Sequence, residues 1–471
     1  MRTLFAGFFL VALAVPRPAL ADQTDIYVAA EMKRQRIPGL SVAVVRNGEP
    51  VKLQGYGLAD VENDVPATAD TVYLLASVTK QFTAAAVMML IQEGRIGLDE
   101  PVGKYLESAP AAWKEITPRR LMSHTSGLPV EVPFERRPGW FLIEHTRQEF
   151  LAAATARKPA FAPGEKFEYS NTGFYLLSVL VEKVSGKTFG EFLRERIFQP
   201  LGMTATRLSD PRAVIPHRSG AYGLQNGVLV NRGHPTATSG LGTGCLISTA
   251  RDMARWDAGL SAASILPGQA LKQMWTPLKF PDGSESGYGF GWMIDDHRGH
   301  RVISHGGAFP GTSTHITRFV DDKLTVIVLA NRDQVNPGAL AAGIASLYEP
   351  GLGTLRSMQV QPDPDPGRTA RMKQALAEIG AGAEPAELTA EARASLKRGL
   401  PWVERLRPVY SRPGEFQAIA CETPRSPDFE RNGARIERIC YYRMQSGGRV
   451  VDWSAYFTRT GKVAELRPAR E

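Results

Sequence analysis

The chain has 471 residues, 43% of them apolar, 22% charged and 8% aromatic, with 45 glycines and 33 prolines. That balance excludes a disordered, collagen-like or disulfide-knot protein and supplies enough chain for a large buried core. The formal net charge is +8, and no solenoid or propeller period is visible.

The first segment reads as a secretory signal. Arg2 supplies a positive start, Phe5 to Val15 form an apolar run, and Ala19-Leu20-Ala21 is an A-x-A cleavage site. The run is too short to span a bilayer, and no cysteine follows the site to carry a lipid anchor. Residues 1–21 are therefore expected to be removed and the mature chain to be periplasmic or secreted, with no membrane span left. Removal takes away Arg2 and Arg17 and leaves 54 basic against 48 acidic groups, a net +6. Residues 371–471 hold 18 basic and 13 acidic groups, so most of the charge lies there. Such a tail can meet anionic cell-envelope partners, although its scattered arginines are also the pattern of a solvated surface. Export argues against nucleic acid.

Asp25 to Arg36 predicts an amphipathic helix stopped by Pro38-Gly39. Leu40 to Val45 and Val51 to Leu58 predict strands around Asn47-Gly48, a hairpin turn signal. Val78 to Glu93 predicts a long helix ended by Gly94, and residues 95–165 are loop-rich. Phe174 to Val184 predicts a second long helix, capped by Ser185-Gly186. Strands return at Tyr288 to Ile294, Arg301 to Ser304, Thr314 to Phe319 and Leu324 to Leu329, with Asp295 to His300 a polar turn. This order suits an antiparallel sheet completed by both ends of the chain, with helices segregated beside it. Pro362 to Gly367 reads as a stiff linker. Two helical stretches follow, about 369–380 and 387–406, then three or more strands. The expected layout is a signal at 1–21, a main domain at 22–358, a linker at 359–370 and a small α+β domain at 371–471.

Three cysteines are present. Cys421 and Cys440 fall in two strand-like runs, and a disulfide between them would stabilise by about 3 kcal/mol. Two unpaired buried thiols are the alternative that spacing leaves open. Cys245 reads as a small packed residue.

Three motifs carry chemistry. In Ser77-Val78-Thr79-Lys80, residues three apart on a helix share one face, so Lys80 can touch the Ser77 hydroxyl. A lysine with a lowered pKa can activate a serine, and the helix start adds a favourable field for an oxyanion. The plainer reading makes Ser77 a helix cap and Lys80 a surface cation. In Tyr169-Ser170-Asn171, a buried phenol near an ammonium can ionise more easily, and an amide can hold a substrate amide. The plainer reading is a core aromatic before a Ser-Asn cap. In His305-Gly306-Gly307-Ala308, at the end of the strand Arg301 to Ser304, the glycines admit close approach of a ligand. His297-Arg298-Gly299 has the same spacing but sits in a turn and is discounted. The eight histidines show no H-E-x-x-H or H-x-x-E-H arrangement, which points away from a metal site.

In order and context these motifs resemble the serine β-lactamase and penicillin-binding-protein family, closest to its class C type. The match includes LLASVTKQFTAAAVMMLIQEGRIGLDEPV, LMSHTSGLP, PGEKFEYSNTGFYLLSVLVEKVSG, YGFGW and ISHGGAFPGT, and covers roughly residues 25–345. The resemblance implies an α+β fold: a helical domain against an antiparallel sheet with helices on its other face, and the active site between them. Carried over by position, Ser77 is the nucleophile, Lys80 its activating partner and Tyr169 the proton relay. Asn171 and the strand His305, Gly306, Gly307 and Ala308 bind substrate. The backbone N–H groups of Ser77 and Ala308 form the oxyanion hole, worth roughly 3–4 kcal/mol per donor. The resemblance implies no cofactor, a small-molecule or peptide substrate, and acyl transfer through a serine ester followed by hydrolysis. His305 stands where the family has the lysine of Lys-Thr-Gly, leaving only a conditional positive charge for a substrate carboxylate, and no Glu-x-x-Leu-Asn motif is present. The expected activity is therefore that of a D-Ala-D-Ala carboxypeptidase, D-aminopeptidase or esterase. The alternatives are a true β-lactamase and a non-catalytic penicillin-binding sensor. His124 is expected to organise its loop, and Tyr288 and Trp292 to pack the sheet or line the cleft.

Overall fold

A segment that is apolar at every position can shed water only if both of its faces are covered. Leu324–Ala330, with the sequence LTVIVLA, comes close to such a segment: every residue of it is buried, and its one polar side chain, Thr325, donates to Asp257 at 2.9 Å. The segment lies at the centre of an antiparallel seven-stranded sheet in the computed structural model. The structure describes residues 22–107, 109–353, 355, 362–397, 403, 406–407, 409, 414–424, 428–446 and 448–469. The signal expected at 1–21 and residues 359–361 of the expected linker lie outside the described residues.

The strands are β1 (Gly39–Arg46), β2 (Glu49–Asp60), β3 (Val65–Pro66), β4 (Met293–His297), β5 (His300–Phe309), β6 (Thr312–Phe319) and β7 (Leu324–Ala330). Their order across the sheet is β3-β2-β1-β7-β6-β5-β4. The two ends of the main domain meet where β1 pairs with β7, Val42 opposite Val328 and Ala43 opposite Ile327. The helices are α1 (Gln23–Gln35), α2 (Thr79–Gln92), α3 (Asn171–Ser185), α4 (Ala250–Ser261) and α5 (Pro337–Tyr348), followed by α6 (Pro366–Gly380) and α7 (Ala390–Lys397). Alternation along β7 sends Val326 and Val328 into one core with Val28 of α1 and Leu340 and Ile344 of α5. Ile327 and Leu329 enter the larger core on the opposite face, with α2, α3 and Trp292. The fold is the expected α+β arrangement of a sheet with helices on both faces.

Local differences from the expected elements have local causes. The long helix begins at Thr79, because Ala76–Val78 form a 3-10 turn. Ala76 has φ 47, an unfavourable left-handed conformation for alanine that the packing around it holds in place. The helix expected from Phe174 starts at Asn171, because the Ser170 hydroxyl caps it by accepting the Gly173 N–H at 3.1 Å. The polar turn between β4 and β5 shrinks to Arg298-Gly299, both at positive φ, which suits a two-residue hairpin. Tyr288–Trp292 form a bend, and only Met293 onward is strand. Strand β5 runs on to Phe309, so His305 lies in mid-strand rather than at its end.

In the C-terminal domain, α6 starts at Pro366 with Asp365 as its cap. Proline at the first helical position loses no needed hydrogen bond, so Pro366-Gly367 open a helix instead of closing a linker. Strands β8 (Glu415–Glu422), β9 (Ala434–Ser446), β10 (Arg449–Thr458) and β11 (Val463–Pro468) pair in that order. Met372 and Leu376 of α6 pack on Tyr442 and Trp453. Cys421 lies directly opposite Cys440, and the two form a disulfide.

This domain is joined to the main sheet by buried charge. Asp295 and Asp296 on the edge strand β4 face Arg431 and Arg467. Tyr456 donates to Asp296 at 2.8 Å, and Arg467 lies 2.9 Å from the same carboxylate. Asp296 is 1% exposed and both arginines 12%. Arg443 pairs with Asp452 at 2.8 Å. Three arginines that make this region basic are thus engaged internally.

Candidate active site

Ser77 is set by the sheet as much as by its own helix. Thr314 of β6 donates to Leu75 O at 2.7 Å and Thr312 to Leu74 O at 3.1 Å. The Leu75 N–H donates to Leu246 O at 2.8 Å on the other side. Strand β5 also presses on this turn: a Cβ on Gly307 would stand 2.2 Å from Leu75 O, so only glycine fits. The Ser77 turn is therefore clamped between β5, β6 and the 243–246 segment.

Lys80, in the first turn of α2, is fully buried. Its Nζ lies 3.2 Å from Ser77 Oγ and 2.8 Å from Thr243 O. Burial lowers its pKa to about 7. Loss of water outweighs every compensating charge, so near neutral pH a large share of this amine is free to accept a proton.

Tyr169 precedes the α3 cap and shares a hydrogen bond with Ser77. The Ser77 oxygen is thus linked to both the amine and the phenol. Burial holds the phenol well above its ordinary pKa, which corrects the expectation of easier ionisation. Nζ sits 4.9 Å from the ring centroid, over its face, and desolvation outweighs the Ser77 hydrogen bond that favours ionisation. The phenol therefore stays protonated, and of the two groups at the Ser77 oxygen the amine is the one able to take up a proton near neutral pH.

His124 stacks against Tyr169 with 4.2 Å between ring centroids. It is buried at φ 56, and its Nδ1 accepts the Ser170 N–H at 3.0 Å. Burial, with Lys80 and His305 nearby, holds it neutral. Asn171 opens α3 with its N–H on Val130 O at 2.8 Å. Asn171 and Ala308 make no hydrogen bond to Ser77, Lys80 or Tyr169 among the described residues.

His305 departs from expectation. Its Nδ1 donates to Gly306 O at 2.7 Å, so its Nε2 accepts from the Tyr288 hydroxyl at 2.8 Å. Burial and then Lys80 lower its pKa to about 3. The conditional positive charge is therefore absent: the imidazole is neutral with both nitrogens occupied. Tyr288, offered by the sequence only as packing or lining, is a polar partner in the site, and Trp292 packs in the main core. Sequence reasoning missed Glu135, a buried acid in the field of Lys80 whose pKa burial raises to about 7. Nothing in the Pro-Phe-Glu-Arg-Arg context distinguishes it. His297 binds Leu352 O at 2.9 Å, away from the site. Burial pushes the Cys245 thiol up to about 12. Among the described residues, no group of three or more His, Cys, Asp or Glu is placed to hold a metal.

Comparison with known proteins agrees with this geometry. The family model described as Beta-lactamase matches residues 25–348. A penicillin-binding protein of Bacillus subtilis (strain 168) is 29% identical over 317 residues, 62% of this chain and 68% of that protein. D-aminopeptidases of Gluconobacter oxydans and Brucella ovis are each 28% identical, over 67% and 73% of this chain. The chain spans only 61% and 65% of their length. An octameric penicillin-binding protein homologue from Pyrococcus abyssi shares the fold, with TM-score 0.62 and 22% identity over 95% of this chain and 98% of that one. A penicillin-binding protein from Bacillus halodurans gives TM-score 0.61 and 25% identity over 70% of this chain and its own full length. With the family model covering the whole sheet and both long helices around a Ser77–Lys80–Tyr169 cluster, the chain belongs to the β-lactamase family and is a serine hydrolase.

Proposed function

We infer that this protein is an exported hydrolase that cleaves an ester or a D-amino-acid-type amide through an acyl-enzyme on Ser77. The observation that carries the reading is the buried Lys80 amine, 3.2 Å from Ser77 Oγ with its pKa lowered to about 7. As Ser77 Oγ attacks the carbonyl carbon, its proton passes to the Lys80 amine. The oxyanion sits against the Ser77 and Ala308 N–H groups. Tyr169 gives its proton to the departing alcohol or amine as that bond breaks, and the phenolate so formed takes up the proton that Lys80 received from Ser77. Water then attacks the ester carbon, its proton returns along the same path, and Ser77 leaves as the free hydroxyl.

The occupied His305–Tyr288 pair offers no cation to a carboxylate beside the leaving group. This favours a neutral leaving group, as in an ester or an aminopeptidase substrate, over a D-Ala-D-Ala peptide or a β-lactam. The D-aminopeptidase relatives support the same choice. Export is supported by the capping box of α1, which begins at Asp22, immediately after the A-x-A site, so cleavage there removes no part of the helix. No helix among the described residues is long and apolar enough to cross a membrane.

A fluorophosphonate probe should label the wild type and leave Ser77→Ala unlabelled. An equal adduct on both proteins contradicts the mechanism. Turnover of nitrocefin at a rate matching p-nitrophenyl acetate would instead favour the β-lactamase reading.

A further inference from the structure

With the leaving group placed at Tyr169 and the His305–Tyr288 pair, the acyl half of a substrate must run the other way, along β5 past Ala308. The next residue there is Phe309. Alternation along the strand puts its side chain on the face shared by His305 and Gly307, the face that meets the Ser77 turn. Its ring stands edge-on to two others, 5.1 Å from Phe141 and 6.1 Å from Trp140 between centroids. Trp140 and Phe141 belong to a 3-10 turn, Trp140–Leu142, on a loop of the opposite wall. That turn is held in place: Thr236 N–H and the Ser239 hydroxyl both donate to Phe141 O at 3.1 Å.

The same wall is apolar where a solvated loop would be polar. Val130, whose carbonyl holds the Asn171 N–H, is 38% exposed, and Leu142 and Ile143 are 51% and 58% exposed. Apolar exposure concentrated on one loop marks a contact surface. Leu142 and Ile143 directly follow the half-buried Trp140 and the buried Phe141 on that loop, and Phe309, also half-buried, directly follows Ala308 in β5. A ring of aromatic edges beside a strand that hydrogen-bonds its ligand accepts a flat or branched apolar group.

We propose that Trp140 and Phe309 form an acyl-side subsite for an apolar group of about phenyl size, so that the preferred substrates are esters or amides of a bulky apolar acyl unit. The proposal rests on the hydrolase reading given above.

The test compares p-nitrophenyl phenylacetate with p-nitrophenyl acetate, which share one leaving group and differ only in the acyl half. The wild type should favour the phenylacetate at least about tenfold in kcat/KM, the lower range for an apolar pocket. Trp140→Ala and Phe309→Ala should each reduce that ratio about fivefold or more, while Trp140→Phe retains it. Because the ratio is read within each protein, partial loss of folded enzyme does not affect it. A wild-type ratio near one, or a ratio unchanged in both alanine variants, overturns the subsite. If the acetate is hydrolysed through Ser77 without acyl preference, the subsite alone fails. If neither ester is hydrolysed and Ser77 takes no fluorophosphonate label, the hydrolase reading fails and the subsite with it.

Discussion

Burying an amine without a counter-ion costs stability, and this protein bears that cost at Lys80. The fall of its pKa from 10.5 to about 7 corresponds to roughly 5 kcal/mol, at ~1.4 kcal/mol per tenfold change. Replacing Lys80 by methionine removes the amine and keeps the apolar stem in place. The substitution also loses the bonds to Ser77 Oγ and Thr243 O, at about 1–2 kcal/mol each. Lys80→Met should therefore be about 1–2 kcal/mol more stable than the wild type at pH 7, while losing at least about a thousandfold in ester hydrolysis. The sign with pH follows from proton binding. Between the folded and unfolded pKa values the unfolded chain holds more protons, so wild-type stability rises with pH there. The advantage of Lys80→Met should be greatest below pH 7 and shrink as pH rises toward 10.5. The wild-type kcat/KM should climb about tenfold from pH 6 to pH 8, as the free amine forms. Chemical denaturation of both proteins across pH 6–9, with the pH–rate profile, decides the matter. A variant less stable than the wild type by more than about 1 kcal/mol, or a flat profile over that range, refutes the assignment of Lys80 as a desolvated base.

Other perturbations test separate parts of the structure. Tyr169→Phe keeps the ring that stacks on His124 and removes the relay, so kcat/KM should fall about a hundredfold or more with denaturation midpoints unchanged. Tyr288→Phe leaves a buried imidazole nitrogen without its donor and should cost about 1–3 kcal/mol, read by urea denaturation. Arg467→Ala strands Asp295 and Asp296 with one fewer cation, and the expected loss is about 3–5 kcal/mol; a loss below 1 kcal/mol would show the cluster to be incidental. Reduction of Cys421–Cys440, which are 19 residues apart, should lower stability by about 3 kcal/mol without abolishing fluorophosphonate labelling of Ser77.

What could be read in advance depended on how local its cause was. The Ser77–Lys80 contact follows from helical spacing, and the strand at Leu324 to Leu329 from its largely apolar run rich in β-branched residues, so both were legible. The helix starts at Asn171 and Pro366 moved by a few residues because a cap and a first-turn proline extend a helix beyond its apolar stretch. The charge state of His305 was not legible, since it depends on Tyr288 and on Lys80, which only the fold brings beside it. The phenol of Tyr169 was misjudged for the same reason: proximity to an ammonium is visible in a motif, but the depth of burial that overrides it is not. Arg431 and Arg467 read as surface charge because Asp295 and Asp296, their partners, lie more than a hundred residues away. The aromatic cluster of Trp140 and Phe309 joins a loop to the end of a distant strand and carries no motif.

The interlock of Asp295 and Asp296 with Arg431 and Arg467 has a bearing on how this molecule can be taken apart. A shortened chain ending before residue 362 would keep every group of the Ser77 site yet leave Asp295 and Asp296, on the last strand of its sheet, without Arg431 and Arg467. Such a fragment should survive as a tethered or acid-favoured species rather than a robust enzyme, with its bare edge available to pair with neighbouring copies. Swinging of the two halves about a hinge is opposed by the same four side chains, so the C-terminal domain is held as a fixed neighbour of the main sheet.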